Sequence, residues 1–411
     1  MSALLNIVIP ALNLWDLTAQ CLRSLAEHTP GGNFAVTLVD NGSTDATPAE
    51  APALGCSLFG DRFSLVRNER NLNFGPACNQ GAAAREAAFV LFLNNDTLLT
   101  PGWTAPLLEA FAADDTLGAA GPLLLYPGSR RVQHCGIAFA PTLAVEHLYE
   151  QFPATHPALA RRRSLQAATG AALMLRRGVF DACGGFFPDY VNGSEDMDLC
   201  RQVRSRGLTV SCIPGSTVLH LASATPGRFS HDDANAALLR RRCPDGFAPD
   251  LHALAREDGF ELRLTPWLSA HLALPAAREE ELNRGLAGPP DPARWLETLL
   301  AEPLWASGYD AVGAHLEERG MWAEAVELRF LQTSFFPLAN SYKALRRAAG
   351  KAGHLDLAKD AAARLEHIAA LLADRARLSG MAASAAARLR DQGDEELARQ
   401  CEGIVQDVII S

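Results

Sequence analysis

The chain reads as two folds in succession: an α/β domain with a parallel sheet over residues 1–245 and an all-α domain over 293–411, joined by a connecting segment at 246–292. Three observations predict this. In the N-terminal half, near-continuous apolar runs alternate with helical patterns, the signature of a sheet covered on both faces. From Pro244 the character changes: Pro249, Pro266 and Pro275 interrupt the chain, and Gly288-Pro289-Pro290-Asp291-Pro292 reads as a linker or a sharp turn before a helix. Beyond it the composition is rich in Ala, Leu, Glu and Arg to the end, which favours helix. At 411 residues the chain also exceeds one ordinary core, so more than one domain is expected.

Taken in order, Leu5-Asn6-Ile7-Val8-Ile9-Pro10 predicts a first strand and residues 14–27 an amphipathic helix. Phe34-Ala35-Val36-Thr37-Leu38-Val39 predicts a second strand, ending in Asp40-Asn41-Gly42-Ser43, and Leu65-Val66-Arg67 a short third. A helix over 76–86 leads into a fourth strand, Ala88-Phe89-Val90-Leu91-Phe92-Leu93, which ends in Asn94-Asn95-Asp96. Ser216-Thr217-Val218-Leu219 is strand-like and stops at His220, and a helix is expected over 198–206 behind Glu195-Asp196. Ligands of α/β sheets sit beyond the carboxyl ends of the strands. One polar residue there is ordinary turn chemistry; its recurrence at Asp40 and at Asn94-Asn95-Asp96 points to a site. Asp45 is expected to cap the following helix.

In the C-terminal part, Gly320-Met321-Trp322-Ala323-Glu324-Ala325 resembles Gly353-His354-Leu355-Asp356-Leu357-Ala358 and Gly393-Asp394-Glu395-Glu396-Leu397-Ala398. Glycine turns the chain between helices, and a small Ala five residues on lets them approach. With spacings of 33 and 40 the repeat is irregular and similar to a degenerate tetratricopeptide array.

Composition narrows the function classes. A net charge of −10 argues against a general nucleic-acid binder, which needs a basic surface. The short runs Arg161-Arg162-Arg163 and Arg240-Arg241-Arg242 suit at most one anionic ligand. Nine cysteines without a CxxC pair indicate a reduced compartment. The first ten residues read as a strand rather than a leader, and no eighteen apolar residues run together. A cytoplasmic chain without a membrane span is expected.

Several short motifs stand in a suggestive order: Ile7-Val8-Ile9-Pro10 with Asn13; Val39-Asp40-Asn41-Gly42-Ser43-Thr44-Asp45; Asn71-Leu72-Asn73-Phe74-Gly75 with Asn79 and Gly81; Leu93-Asn94-Asn95-Asp96; Gly184-Gly185-Phe186; and Glu195-Asp196-Met197-Asp198-Leu199. Each is weak alone. In this order and spacing they resemble the family 2 glycosyltransferases, over roughly residues 5–220. The resemblance implies a GT-A (Rossmann-like) fold and a nucleotide-sugar donor. It also implies substrate contacts at Pro10, Asn13, Asp40, Asn71, Gly75, Asn79, Asn94, Asn95, Thr169 and Gly170.

The residue chemistry agrees with those implied roles. Asp40 closes a buried strand, where its carboxylate can accept the imide N–H of uracil or thymine; the bland alternative is a turn aspartate before Asn41-Gly42. Asn94-Asn95-Asp96 stands where the family often has Asp-x-Asp, so a divalent cation, Mg²⁺ or Mn²⁺, would have one carboxylate, Asp96, where two are common. By its place in the order His220 is the expected partner of Asp96, although a lone His is more often a satisfied core residue. Asp196 carries over as the base that takes the acceptor hydroxyl's proton, with Glu195 beside it; two acids at a helix start are also favoured by the dipole alone. Gly170 allows close backbone approach to the sugar, though a β-bulge would look the same. The loop over 222–230 is expected to close over the diphosphate, with Arg228 or the 240–242 run as counter-charge; a solvated helix end is the alternative for that run.

The function expected is an inverting transferase moving one sugar from a UDP- or dTDP-linked donor to a hydroxyl, similar to rhamnosyltransferase-type enzymes. No Gln-x-x-Arg-Trp pattern of processive synthases is present. The helical tail points to a protein acceptor or partner, for example flagellin, because stacked helix pairs form concave surfaces; an O-antigen or other lipid-linked glycan is the alternative. A catalytically inactive binding module conflicts with intact Asp40, Asp96 and Asp196. A nucleotidyltransferase conflicts with Pro10-Ala11-Leu12-Asn13 in place of a Gly-rich phosphate loop.

Overall fold

The apolar runs of the N-terminal half become neighbouring strands of one sheet. In the computed structural model, which describes residues 3–29, 31–221 and 230–410, strands are β1 (Ala3–Ala11), β2 (Phe34–Asp40), β3 (Phe63–Arg67), β4 (Ala87–Leu93), β5 (Thr97–Leu99), β6 (Leu117–Leu125), β7 (Val132–His134), β8 (Ile137–Phe139), β9 (Val145–His147), β10 (Arg163–Leu165), β11 (Ala172–Arg176) and β12 (Thr209–His220). Their helices are α1 (Trp15–His28), α2 (Thr47–Phe59), α3 (Phe74–Ala83), α4 (Thr104–Ala113), α5 (Arg177–Ala182), α6 (Glu195–Arg204) and α7 (Asp232–Arg242). The order across the sheet is β10-β12-β6-β11-β4-β1-β2-β3, with β5 on β12 and β7 on β6. Strands β3, β2, β1 and β4 are mutually parallel, whereas β11 runs antiparallel between β4 and β6. The all-parallel expectation therefore holds for the first four strands only, and the sheet is mixed. The α/β architecture expected for this half of the chain is present, around a mixed sheet.

Two features seat the helices. Asn6, buried in β1, donates to Gly81 O of α3 (3.1 Å) and accepts from Thr37 Oγ1 of β2 (2.9 Å). A Cβ on Gly81 would collide with Val8 and Val39, so glycine is what lets α3 lie on the sheet. Asp45 serves two helix starts: its carboxylate accepts from Thr47 N of α2 (3.0 Å) and Trp15 N of α1 (2.9 Å). Strand β12 extends through the short stretch expected at 216–219, and α6 begins at Glu195 rather than at 198.

The chain divides into two compact units: residues 1–137, 147–150 and 157–247 form the first, and 138–146, 151–156 and 248–411 the second. The second contains α8 (Leu251–Glu257), the hairpin β13 (Glu261–Leu264) and β14 (Ala270–Ala273), α9 (Ala276–Asn283), α10 (Pro292–Ala301), α11 (Ala306–Glu318), α12 (Trp322–Phe335), α13 (Ala339–Ala352), α14 (Leu355–Ala373), α15 (Arg375–Asp391) and α16 (Glu395–Ile410). The stretch 246–292, which its prolines mark as a connector, mostly folds into this unit: Trp267 and Leu268 pack with Ile368, Leu378 and Ala382. Gly320, Gly353 and Gly393 have φ of 71°, 82° and 81° and turn α11 into α12, α13 into α14 and α15 into α16. Ala325 and Ala398 are fully buried in the resulting interfaces.

Among the described residues no helix is long and apolar enough to cross a membrane. None of the nine cysteines is in a disulfide.

Candidate active site

The carboxyl ends of β1, β2 and β4 lie side by side, since β1 pairs with both neighbours in register. At the end of β2, Asp40 is fully buried. Its Oδ1 accepts from Ser43 N (2.8 Å), while Oδ2 has no hydrogen-bond partner; Arg67 Nε approaches Oδ2 only to 3.6 Å. A buried carboxylate oxygen without a donor is costly unless a ligand supplies one. The loop around it is pinned by amides. Asn13 donates its main-chain N–H to Ser43 Oγ and accepts Thr44 N on its side chain, both at 2.8 Å. Asn41, also buried, donates to Asn71 Oδ1 (2.9 Å) and accepts from Asn68 Nδ2 (3.0 Å) and Leu72 N (3.1 Å). Asn71 Oδ1 also accepts Asn73 N at 2.8 Å. Asn13, Leu14 and Asn73 hold positive φ of 56°, 59° and 68°, a conformation costly to ordinary side chains that clusters where loops shape a site. Pro10 is half-buried beside them at the end of β1.

At the end of β4 the three polar residues separate in role. Asn95 turns to α1 and donates to Thr18 Oγ1 (2.9 Å). Asn94 anchors the loop through its N–H to Ala171 O (2.8 Å), and its side-chain Nδ2 stands 3.2 Å from His220 Nε2. Asp96 Oδ1 stands 3.2 Å from the same nitrogen. Sequence reasoning missed what orients that ring. Gln133 of β7 donates Nε2 to His220 O (3.0 Å), which fixes its amide so that Oε1 faces His220 Nδ1 at 2.6 Å. A carbonyl oxygen only accepts, so Nδ1 carries a proton, and the tautomer protonated there alone presents a lone pair at Nε2. An imidazole lone pair and a carboxylate oxygen then converge on one point. That donor set fits a divalent cation. Among the described residues no group of three or more His, Cys, Asp or Glu is arranged to hold an ion unaided.

The acidic loop closes the arrangement. Asp196 is half-buried in the first turn of α6, where the helix dipole favours negative charge. Its Oδ2 accepts Gly170 N and its Oδ1 Met197 N, both at 2.8 Å, leaving each oxygen a further lone pair. Thr169 N donates to His134 Nε2 (3.2 Å). A Cβ on Gly170 would lie 3.3 Å from the Phe74 ring and 3.4 Å from Asp196 Cβ, so the backbone is close-packed here. Glu195 is buried and turns back on its own loop, accepting Gly193 N at 2.6 Å.

Two expected substrate contacts have other partners. Asn79 spends both ends of its amide on Phe186, donating to its O (2.8 Å) and accepting from its N (2.9 Å), which holds the Gly184-Gly185 turn. Gly75 lies against Phe186 Cβ at 3.1 Å, as measured from an added Cβ. Arg228 lies outside the described residues. In the 240–242 run Arg240 and Arg241 are exposed, whereas Arg242 pairs with buried Asp198 and stacks on Phe187 at 3.4 Å. This clamp was hidden because the sequence shows only a basic helix end.

Residues 6–184 match the family model described as glycosyl transferase family 2. Over these residues the chain is similar to that family. The chain is 30% identical over 227 residues to an O-antigen biosynthesis protein, RfbC, of Myxococcus xanthus, covering 54% of this chain and 17% of that one. It is 29% identical over 258 residues to an N-acetylglucosaminyl-diphospho-decaprenol L-rhamnosyltransferase of Mycobacterium tuberculosis, covering 56% of this chain and 78% of that one. Two of the curated relatives are much longer, the match spanning only 26% and 17% of their length. Among solved structures, GalNAc-T7 with UDP, GalNAc and Mn²⁺ aligns with a TM-score of 0.48 and 16% identity, over 62% of this chain and 56% of that one.

Proposed function

We propose that the N-terminal unit transfers a single sugar, with inversion, from a UDP- or dTDP-linked donor to an acceptor hydroxyl. The observation that carries this is Asp40 Oδ2, buried at a strand end without a donor, as a site for an imide N–H requires. Asn71, Asn13 and the Asn41 network hold the loop that frames the nucleoside, with Pro10 at its edge. Asp96 and His220 would hold a divalent cation, Mg²⁺ or Mn²⁺, which would supply positive charge to neutralise the donor diphosphate. Asn94 orients His220 and the adjacent loop. Thr169 and Gly170 bring main chain close to the sugar. Asp196, with a lone pair left on each oxygen, takes the acceptor proton as the hydroxyl attacks the anomeric carbon opposite the diphosphate. In-line attack on that face inverts the configuration.

For the acceptor, the names of the two relatives favour a polyprenyl-linked or O-antigen glycan. A protein acceptor such as flagellin, or a protein partner held by the helical unit, is the second reading. It is the reading that helix pairs forming a concave surface would serve. We place the reaction in the cytoplasm.

A panel of UDP-, dTDP- and GDP-sugars screened by thermal shift with and without Mn²⁺ tests the donor, because a ligand of the native state raises its apparent stability. Binding of a UDP- or dTDP-sugar with slow hydrolysis is expected. A chain that neither binds nor hydrolyses any of them is not a transferase.

A further inference from the structure

Gln133 and His134 are consecutive residues, both buried, in a three-residue strand. In a regular strand, neighbours point to opposite faces. Here the register against β6 slips: His134 pairs with Leu124 but Val132 pairs with Leu125, so Gln133 is an extra residue on β7. Such a bulge re-aims side chains, and both of these are spent on the same site. Gln133 holds His220 at two points, ring Nδ1 (2.6 Å) and main-chain O (3.0 Å). His134 accepts Thr169 N at Nε2 (3.2 Å), which leaves its proton on Nδ1 to donate to His147 Nδ1 (2.8 Å). The next amide along, Gly170 N, goes to Asp196 Oδ2 (2.8 Å). Thr169 is therefore held between His134, which accepts its own N–H, and the proposed base, which accepts the N–H of the next peptide.

From this geometry we infer that the Gln133-His134 bulge is the positioning element of the site: Gln133 aims the cation ligand His220, and His134 sets the backbone that places Asp196. The inference rests on the transferase reading above. Neither residue touches the reacting atoms; each acts through another. The division of labour follows from the hydrogen bonds. Loss of Gln133 frees the His220 ring without touching Thr169, and loss of His134 frees Thr169-Gly170 without touching the ring.

The test uses the full chain, with Mn²⁺ binding measured calorimetrically in the presence of UDP or dTDP. Turnover is measured as hydrolysis of whichever UDP- or dTDP-sugar most stabilises the wild type. Gln133→Met is expected to weaken Mn²⁺ binding about 10- to 100-fold, the usual cost of losing a ligand's supporting partner, with kcat at saturating Mn²⁺ little changed. Gln133→Glu keeps an acceptor opposite Nδ1 and is expected to recover most of the Mn²⁺ affinity. His134→Leu is expected to lower kcat about tenfold or more while Mn²⁺ affinity and donor KM stay near wild type. His134→Gln, whose Oε1 can reach Thr169 N, is expected to restore kcat, and it carries the test should His134→Leu not fold. Unchanged Mn²⁺ affinity in Gln133→Met, or metal affinity and kcat falling together in His134→Leu, would overturn the inference while the transferase reading stands. A wild-type chain that binds neither nucleotide with Mn²⁺ overturns the transferase reading, and this inference with it.

Discussion

Replacing Asp40 by Asn separates recognition from stability in a way few substitutions can. The change is isosteric, and the retained Oδ1 still accepts Ser43 N, 2.8 Å away in the native chain. At the other position a carboxylate oxygen, buried and without a donor, becomes an N–H₂. For a uracil or thymine donor, the imide N–H then meets a second donor instead of an acceptor. A hydrogen bond to a charged group contributes about 1.5–3 kcal/mol. At 1.4 kcal/mol per decade, UDP or dTDP affinity should fall about 10- to 150-fold. The unliganded chain should change little in stability, because the buried carboxylate that is relieved is offset by the loss of Arg67's partner 3.6 Å away. Cytosine carries an acceptor where uracil carries the imide N–H, so discrimination against CDP should shrink or reverse. Isothermal titration with UDP, dTDP and CDP, alongside thermal unfolding of the free protein, measures all three quantities. If Asp40→Asn binds UDP and dTDP as tightly as the wild type, Asp40 does not read the base.

Further outcomes follow from other parts of the molecule. Asp196→Asn should abolish transfer and hydrolysis while donor affinity, followed by titration, stays near wild type; an active variant removes Asp196 as base. Asp198→Ala leaves the partly exposed Arg242 without its partner and should cost about 1.5–3 kcal/mol in urea unfolding, the range for a hydrogen bond to a charged group, whereas an unchanged midpoint would make the clamp incidental. In the second unit, burial first and Arg263 second push His271 down to about 4 from 6.5. The folded chain therefore takes up that proton less readily than the unfolded one. The resulting stability is complete above pH 6.5 and is lost as pH falls towards 4. His271→Phe should flatten that part of the stability profile, and an unaltered acid slope would rule His271 out as its source.

The first four strands were legible because each is a short apolar run bounded by turn chemistry, and the polar ends of β2 and β4 advertised the site. The three glycines of the helical turns were legible too, since positive φ leaves little choice of residue there. What stayed hidden depends on packing between distant segments. Residues 151–156 join the second unit because Phe152 packs on Phe260 and Phe335, a pairing no local pattern encodes. The antiparallel insertion of β11 into a sheet that begins parallel is likewise a matter of topology. Gln133 and His134 interrupt an otherwise apolar Val132 to Ile137 stretch, and that interruption was the available signal. Its meaning needed the bulge, which puts both side chains to use on one site. Asn79 is a further case that only packing reveals: both ends of its amide go to Phe186 at the turn.

The central claim is tested most directly by a crystal structure of the full chain with UDP and Mn²⁺, using the anomalous signal of manganese. The account predicts a manganese peak bonded to Asp96 Oδ1 and His220 Nε2, and the uracil imide nitrogen within hydrogen-bond reach of Asp40 Oδ2. Nucleotide bound away from Asp40, or manganese bound away from Asp96 and His220, would contradict it.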